Sequence, residues 1–410
     1  MNKLTERFFR YLKIDTQSQR GTGTHPSTEK QKDLGRLLVE ELHAMGIANA
    51  EMDEYGTVYA TIPSNCGDKK VPAIGLTSHM DTAPDLPGND VKPRLIENYD
   101  GSDIVLNEKE NIIFRVSAFP RLKVYVGKDL IVADGTTLLG ADDKSGVAEI
   151  MELANTLMTD HTIQHGAVNI CFTCDEEIGE STQHLNLEKF NPDFAYSFDG
   201  GEDGEFFYDN FNCGQADITI HGVVAHTGYA KHRMVNASHL AMELHSMLDP
   251  LAIPANTELR EGFTHLSSIT SDVGTARMVY LVRDHEMTLY TEKRQRLEKI
   301  VAFMNEKYGD GTVEMAFRDI LFNMRDKIME TPFIVENAVK AMKELGIEPA
   351  ISPVRGGVDG AEITFMGLPC PNLFTGSDNC HTRYEYACVQ SMENAYQLML
   401  RLVENCVTAG

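Results

Sequence analysis

The chain has 410 residues, too many for one ordinary hydrophobic core, so we expect two domains. Its apolar content of 42% is that of a globular protein, and its formal net charge of −24 argues against nucleic acid and anionic membrane surfaces as partners. No apolar run approaches the ~18 residues of a membrane span, and the polar N-terminus has no signal-peptide core. We therefore expect a cytoplasmic protein.

Eight cysteines are scattered along the chain. The single CxxC motif, Cys171 to Cys174, lies inside an apolar segment, and no second CxxC completes a zinc knuckle. Buried free thiols are therefore preferred over a redox or metal role, in keeping with a reducing compartment.

The first part of the chain has the periodicity of helices. Residues 4–12 predict a short amphipathic helix and residues 27–45 a longer one, in which Thr28 and Gln31 could form a capping box. Residues 51–62 alternate around a turn and predict a hairpin. The next region, 85–130, is rich in turns, with β-like pieces at 112–116 and 122–126.

Four apolar segments predict strands of an α/β sheet, because helical patterns alternate with them. They cover residues 71–78, 167–173, 193–198 and 373–375. Each is followed by side chains that bind metals, namely His79, Glu176 with Glu177, Asp199 and His381. Sites in such sheets gather at the carboxyl ends of the strands, so we expect these side chains to lie together.

A glycine-bearing turn at residues 138–146 leads into a strongly periodic helix and brings Asp142 and Asp143 to its start. An aspartate in that position is often only a helix cap. Acidic residues also follow the neighbouring strands. A role as a metal ligand is therefore the alternative for Asp142.

Between residues 212 and 321 the pattern changes to strand, helix, two strands, helix and strand. This βαββαβ order is the ferredoxin-like arrangement. The alternation of strands and helices resumes after residue 322, with a helix at 331–345 and a last helix at 392–404. We therefore expect one domain from residues 1–211 and 322–410, with residues 212–321 inserted as a second domain.

The strand-end residues fit a site for two zinc ions, which take histidine and carboxylate ligands and can leave a position for water. In this interpretation Asp142 bridges the ions, Glu176 is the unligated general base, and Asp81 orients the ring of His79. The ligands are His79, Asp142, Glu177, Asp199 and His381. Taken singly, a histidine is more often structural and a pair of glutamates more often solvated.

Several strings resemble the M20 family of di-zinc metallopeptidases, and longer ones resemble the tripeptide aminopeptidases of that family over essentially the whole chain. The strings are His79-x-Asp81, Gly140-Ala141-Asp142-Asp143-Lys144-Ser145-Gly146, Asp175-Glu176-Glu177-Ile178-Gly179, Arg355-Gly356-Gly357-Val358-Asp359-Gly360 and 366–376, together with His381. The resemblance implies a zinc-peptidase-like mixed sheet flanked by helices, with the inserted ferredoxin-like domain acting as a lid.

The same resemblance implies two zinc ions per subunit, with a water between them. His79, Asp142 and Asp199 would hold one ion. Asp142, Glu177 and His381 would hold the other. It also implies a cis peptide bond between Asp142 and Asp143.

In the lid, His226 would stabilise the oxyanion, while Asn236, Arg283 and Arg355 would bind the peptide. Read without the resemblance, His226 is an ordinary strand-end residue and the arginines form salt bridges. A homodimer through the lid is also implied.

The expected function is removal of the N-terminal residue from tripeptides. The nearest alternative is another M20 hydrolase: a dipeptidase, a carboxypeptidase or an N-acyl amino acid deacylase. Two further alternatives are a catalytically silent peptide-binding or scaffold protein and a protein with purely structural metals.

Overall fold

The computed structural model describes residues 2–409. Its helices are α1 (Lys3–Tyr11), α2 (Gln31–Ala44), α3 (Ala141–Thr159), α4 (Leu187–Phe190), α5 (Ala237–Ser246), α6 (Met287–Tyr308), α7 (Arg325–Ile328), α8 (Phe333–Glu344), α9 (Asp359–Phe365) and α10 (Val389–Ala409). None of these helices in the described part of the chain is long and apolar enough to cross a membrane.

The strands run through both halves of the chain. They are β1 (Glu51–Met52), β2 (Val58–Ile62), β3 (Ile74–His79), β4 (Arg94–Ile96), β5 (Ile104–Asn107), β6 (Ile112–Phe114), β7 (Leu130–Val132), β8 (Val168–Thr173), β9 (Phe194–Phe198), β10 (Glu205–Phe207), β11 (Asn212–His221), β12 (Phe263–Ser271), β13 (Thr275–Asp284), β14 (Val313–Leu321), β15 (Ala350–Ile351), β16 (Asn372–Leu373), β17 (Ser377–Asp378) and β18 (Tyr386–Cys388).

The chain forms two compact units. The first unit consists of Met1–Phe207, Lys327–Ile351 and Val358–Gly410, and the second of Tyr208–Asp326 and Ser352–Gly357. These boundaries differ by a few residues from the predicted ones, and residues 352–357 group with the second unit rather than the first. The physical reason is that the Arg355 side chain donates to backbone carbonyls of the 257–261 loop.

A mixed sheet of eight strands forms the core of the first unit, in the order β1-β2-β8-β3-β9-β16-β10-β15. The four central strands β8, β3, β9 and β16 are parallel to one another, and the outer pairs include antiparallel strands. Every residue of β3, β8 and β9 is buried, as the continuous apolar runs predict. Helix α3 packs against β3, α1 and α10.

A smaller antiparallel sheet also belongs to the first unit, with the order β17-β18-β7-β4. It packs with the β5–β6 hairpin around a separate aromatic cluster that includes Phe114, Tyr125 and Tyr386. The cluster covers much of the turn-rich region between residues 85 and 130.

The second unit has the predicted βαββαβ order, with strands arranged β12-β13-β11-β14 and all antiparallel. Helices α5 and α6 pack on its sheet, and their buried residues share one core with β11 and β13. The predicted fold class, an α/β sheet flanked by helices with an inserted ferredoxin-like unit, is confirmed.

Some local predictions are wrong. Of residues 122–126, predicted as a β-like piece, the first four lie in a 3₁₀ helix over Pro120–Tyr125, and Val126 caps its end. Helix α2 begins at Gln31 without a side-chain cap, and no capping box forms, because the Gln31 Nε2 donates to the Thr28 hydroxyl at 3.2 Å and to Asp175 Oδ1 at 2.6 Å. Helix α9 was not predicted.

Candidate metal centre and active site

The parallel strands at the centre of the large sheet bring the predicted ligands to one edge. His79 pairs in register with Thr173, the last residue of β8, and Phe198 pairs with Leu373. The segments that leave these strands therefore start level with one another. They carry the glutamate pair, Asp199 and the loop that leads to His381.

His79 lies at the centre of the site and is 2% exposed. Its Nε2 lies 3.0 Å from Asp142 Oδ1 and 3.6 Å from Asp199 Oδ1. The same nitrogen is 3.8 Å from Glu176 Oε2. Three of the predicted carboxylates thus converge on one imidazole nitrogen.

His381 joins the site from the other side. Its Nε2 lies 2.8 Å from Glu177 Oε2 and 3.5 Å from Asp142 Oδ2. Asp142 therefore lies between the two histidines, with one oxygen toward each. His381 has a left-handed backbone with φ of 63°, and its ring is about half exposed, at 45%.

Two sets of three side chains have ligand atoms within 4.8 Å of one another. One set is His79, Asp143 and Asp199, and the other is His79, Asp142 and Glu177. Asp143 was not predicted as a ligand, although it adjoins Asp142 in sequence. The peptide bond between these two aspartates is cis, as the resemblance implied.

The donor set suits a divalent metal ion, since imidazole and carboxylate ligands are those that zinc prefers. Glu177 Oε1 and Asp143 Oδ1 are buried and have no hydrogen-bond partner among the described residues. Burial raises the pKa of the Glu177 carboxyl to about 7 and that of Asp199 above its ordinary value. Such a crowded group of buried acids needs positive charge, which bound metal ions would provide.

The histidines are strongly affected by these acids. Burial alone would lower the pKa of His79, but hydrogen bonds to Asp142, Asp199 and Asp81 raise it well above the ordinary value. Hydrogen bonds to Asp142 and Glu177 raise the pKa of His381 to about 10. Each histidine must lose this proton before it can bind a metal.

Asp81 supports both His79 and the glutamate pair. The nearest acceptor for His79 Nδ1 is the Asp81 backbone carbonyl at 3.1 Å, and the carboxylate Oδ1 is 3.4 Å away. The carboxylate itself accepts the backbone N–H groups of Glu176 at 3.0 Å and Glu177 at 3.3 Å. Asp81 thus couples the orientation of the ring to the position of the glutamates.

Glu385 has a supporting role that the sequence did not reveal. Its carboxylate accepts the backbone N–H groups of Leu139, Gly140 and Asp142, each at 2.9 Å. This fixes the turn that carries Asp142. Burial raises the pKa of Glu385 to about 7, although these three amides lower it.

His226 belongs to the second unit and is exposed, in a loop after β11. Its Nδ1 accepts the backbone N–H of Gly228 at 3.1 Å. In the neutral ring the hydrogen then lies on Nε2, which can donate. The role in oxyanion stabilisation stays a prediction.

The other predicted substrate residues also lie in the second unit. Asn236 caps α5, and its Oδ1 accepts the Ser238 N–H at 2.9 Å. Arg355 Nη1 donates to the carbonyls of Leu259 at 2.7 Å and Glu261 at 2.9 Å. Arg283 Nη1 donates to the Arg355 carbonyl at 3.0 Å. Its Nε is buried without a partner among the described residues.

The sequence matches a known protein family. Residues 133–405 match the model of peptidase family M20/M25/M40, which is more than half of the chain. The chain belongs to this peptidase family. It is therefore a peptidase, and the histidine and carboxylate groups above fit a metal cofactor.

Individual relatives agree with the family assignment. Peptidase T of Alkaliphilus oremlandii is 50% identical over 405 residues, which cover 98% of this chain and 99% of that protein. The crystal structure of aminopeptidase PepT from Bacillus cereus is 21% identical with a TM-score of 0.78, covering 98% of both chains. A tripeptidase from Staphylococcus aureus has a TM-score of 0.75 at 22% identity, covering 99% of this chain and 98% of its own. The two structures support the fold.

Proposed function

We propose that this peptidase is a zinc-dependent aminopeptidase that removes the N-terminal residue from tripeptides. The observation that carries the proposal is the position of Glu176 beside the ligand group, 3.8 Å from His79 Nε2, in a chain 50% identical to a peptidase T. His79, Asp142, Asp199, Glu177 and His381 would hold two metal ions, and Asp143 is available as a further ligand. When bound, these ions would supply Lewis-acid polarisation of the peptide carbonyl and lower the pKa of a nucleophilic water.

Glu176 serves as the general base. Its backbone is fixed by the hydrogen bond to Asp81 Oδ1, so its carboxylate has a defined position next to the ligands. Burial raises the pKa of the Glu176 carboxyl well above its ordinary value, and His79 opposes this effect. A raised pKa suits a group that takes a proton from water and then gives it to the leaving amine.

Residues of the second unit would bind the peptide. His226 would donate its Nε2 hydrogen to the developing oxyanion. Arg283 and Arg355 would bind the peptide carboxylate, and the Arg355 Nη atoms also donate to the loop at residues 257–261. Asn236 would act through its side-chain amide while capping α5.

A mass-spectrometric time course tests the activity. Purified, zinc-loaded protein would be incubated in parallel with trialanine, dialanine, tetra-alanine and N-acetyl-trialanine, and each reaction would be repeated with a chelator. We expect chelator-sensitive loss of the first residue from trialanine in preference to the other substrates. Preferred cleavage of dialanine, or of the acetylated peptide, would assign a dipeptidase or deacylase activity instead. Because either end of trialanine releases alanine, Leu-Gly-Gly is run in parallel: free leucine is expected, and free glycine with Leu-Gly would assign a carboxypeptidase.

We also propose a homodimer that forms through the second unit. Strands β12 and β14 are the edges of its sheet, and most of β12 after Leu266 is exposed. Such edges are templates for pairing with another strand. Sedimentation of the purified protein should give twice the mass of the chain, and a Pro substitution at Ile269 should give the monomer. A monomeric wild-type protein would contradict the proposal.

A cytoplasmic location is consistent with the cysteines, since all eight are free in the structure. Cell fractionation should recover the protein and its tripeptidase activity with the cytoplasmic contents. Recovery outside the cell would contradict this location.

A further inference from the structure

Asp359 is a buried carboxylate close to the site. The proposed metal binding and proton transfer do not use it. It is the first residue of α9 and is 8% exposed, the same fraction as Glu177. The Ser181 hydroxyl donates to its Oδ1, and the Thr173 hydroxyl donates to its Oδ2 at 3.4 Å. These two hydroxyls fix the direction of the carboxylate.

The end of β8 places Asp359 close to the reacting groups. Thr173, whose hydroxyl donates to Asp359 Oδ2, is the last residue of β8 and pairs in register with His79. Ser181, whose hydroxyl donates to Asp359 Oδ1, follows the turn that carries the glutamate pair. The two partners of the Asp359 carboxylate therefore lie on either side of Glu176 in the chain.

Asp359 has no cationic partner among the described residues. Burial raises the pKa of the Asp359 carboxyl to about 7; the Ser181 hydrogen bond and His79 oppose this rise, and the negative charges of Glu362 and Asp199 add to it. Two other carboxylates that support the site are already in use, since Asp81 accepts two backbone N–H groups and Glu385 accepts three. A carboxylate can accept about four hydrogen bonds, so Asp359 with two retains acceptor capacity.

We propose that Asp359 binds the N-terminal ammonium group of the peptide and thereby makes a free N-terminus a condition for cleavage. This inference rests on the proposed aminopeptidase function and names the residue that sets its specificity. The ammonium of such a substrate is attached to the carbon next to the scissile carbonyl. When that carbonyl is beside Glu176, the ammonium must lie only one carbon away, within reach of the Asp359 carboxyl, and its positive charge favours the ionised form of that carboxyl. A charge-assisted hydrogen bond of this kind is among the stronger polar contacts.

The test compares trialanine with propionyl-dialanine, which has the same shape but lacks the amine. Wild-type protein should cleave trialanine with a much higher kcat/KM. In Asp359→Asn, kcat/KM for trialanine should fall about 10- to 100-fold, mainly through KM, because the lost contact binds substrate and transition state alike. Cleavage of propionyl-dialanine should stay the same, so the ratio between the two substrates should collapse.

Two further variants separate this role from a structural one. Glu362→Gln removes a charge from the same short helix and should keep the wild-type ratio. Ser181→Ala leaves the charge but removes one hydroxyl that orients it, and should raise KM for trialanine severalfold without affecting propionyl-dialanine. Ser181→Ala also tests the role of Asp359 if Asp359→Asn does not fold.

The outcomes are distinguishable. A wild-type ratio in folded Asp359→Asn, or in Ser181→Ala if the first variant is unfolded, would overturn the role of Asp359 while leaving the aminopeptidase proposal intact. Wild-type protein that prefers propionyl-dialanine would overturn the proposed function itself, and this inference with it.

Discussion

Gln31 holds Asp175 through two hydrogen bonds that run in opposite directions. Its Nε2 donates to Asp175 Oδ1 at 2.6 Å, and its Oε1 accepts the Asp175 backbone N–H at 3.1 Å. Asp175 has a left-handed backbone with φ of 63° and directly precedes Glu176. The backbone N–H of Ser27 adds a further bond to Asp175 Oδ2 at 2.6 Å. The turn that presents the glutamate pair is therefore fixed from α2, a distant part of the chain.

Replacing Gln31 by leucine should weaken both the fold and the activity. The Asp175 N–H and carboxylate would lose partners in a buried place, so we expect the free energy of unfolding to fall by about 1–3 kcal/mol. Because Glu176 follows directly, kcat for trialanine should fall as well. Urea unfolding and steady-state kinetics measure the two effects. Gln397→Leu, at an exposed position of α10, is the matched control and should change neither.

Glu176→Gln tests the general base. The amide keeps the size of the side chain but cannot take a proton, so kcat for trialanine should fall by about 10²- to 10⁴-fold. Bound metal, measured by mass spectrometry of the purified protein, should equal that of the wild type. Glu180→Gln, four residues further along, should keep normal turnover. If Glu176→Gln also turns over normally, another group is the base.

Metal binding should stabilise the fold, because it neutralises carboxylates that are buried together. With zinc at about 100 times its dissociation constant, the free energy of unfolding should rise by about 2.7 kcal/mol. Thermal unfolding of the metal-free and zinc-loaded protein measures the rise, and a chelator should reverse it. Glu177→Gln, which removes a candidate ligand, should reduce the effect. An identical Tm with and without zinc would count against these residues as a metal centre.

Glu149 gives the stability a pH dependence of its own. Burial raises the pKa of this fully buried carboxyl well above its ordinary value, and both of its oxygens lack partners among the described residues. The folded state therefore holds the proton more tightly than the unfolded state. This contribution is fully present below the unfolded pKa and is lost as pH rises toward the folded value, by about 1.4 kcal/mol per pH unit.

Glu149→Gln should remove that dependence, because an amide does not ionise. Relative to the wild type, we expect the variant to gain free energy of unfolding at pH 8 compared with pH 5.5, measured by urea unfolding. Glu152→Gln lies on the same helix and breaks an ion pair with Arg7, so it should destabilise the protein at both pH values. Equal differences at the two pH values for Glu149→Gln would contradict the prediction.

The parts that sequence could predict are those fixed by local pattern. The runs that became β3, β8 and β9 are continuously apolar, and parallel strands place their carboxyl ends at one edge, so His79, Asp199 and the glutamates were expected together. Asp359 and Glu385 carry no such pattern. Their environment comes from distant partners, as when Glu385 accepts the amide of Leu139, 246 positions away.

A contact between distant parts of the chain also explains why the predicted capping box does not form. Thr28 and Gln31 have the right spacing, but the Gln31 side chain is bound by Asp175, 144 positions further along the chain. A tertiary contact with a buried carboxylate outweighs a local cap at the helix start. Sequence spacing cannot show this competition, because it depends on where β8 ends.

The division of the chain has a consequence for its synthesis on the ribosome. The second unit needs residues 352–357, where the Val354 N–H donates to the Asp209 carbonyl at 2.8 Å. The first unit needs α10, which packs against α3 and α8 and is the last helix to be made. Neither unit is complete until most of the polypeptide has emerged. A truncated product therefore lacks a finished core in the first unit, and a contiguous fragment of residues 208–326 lacks part of the second.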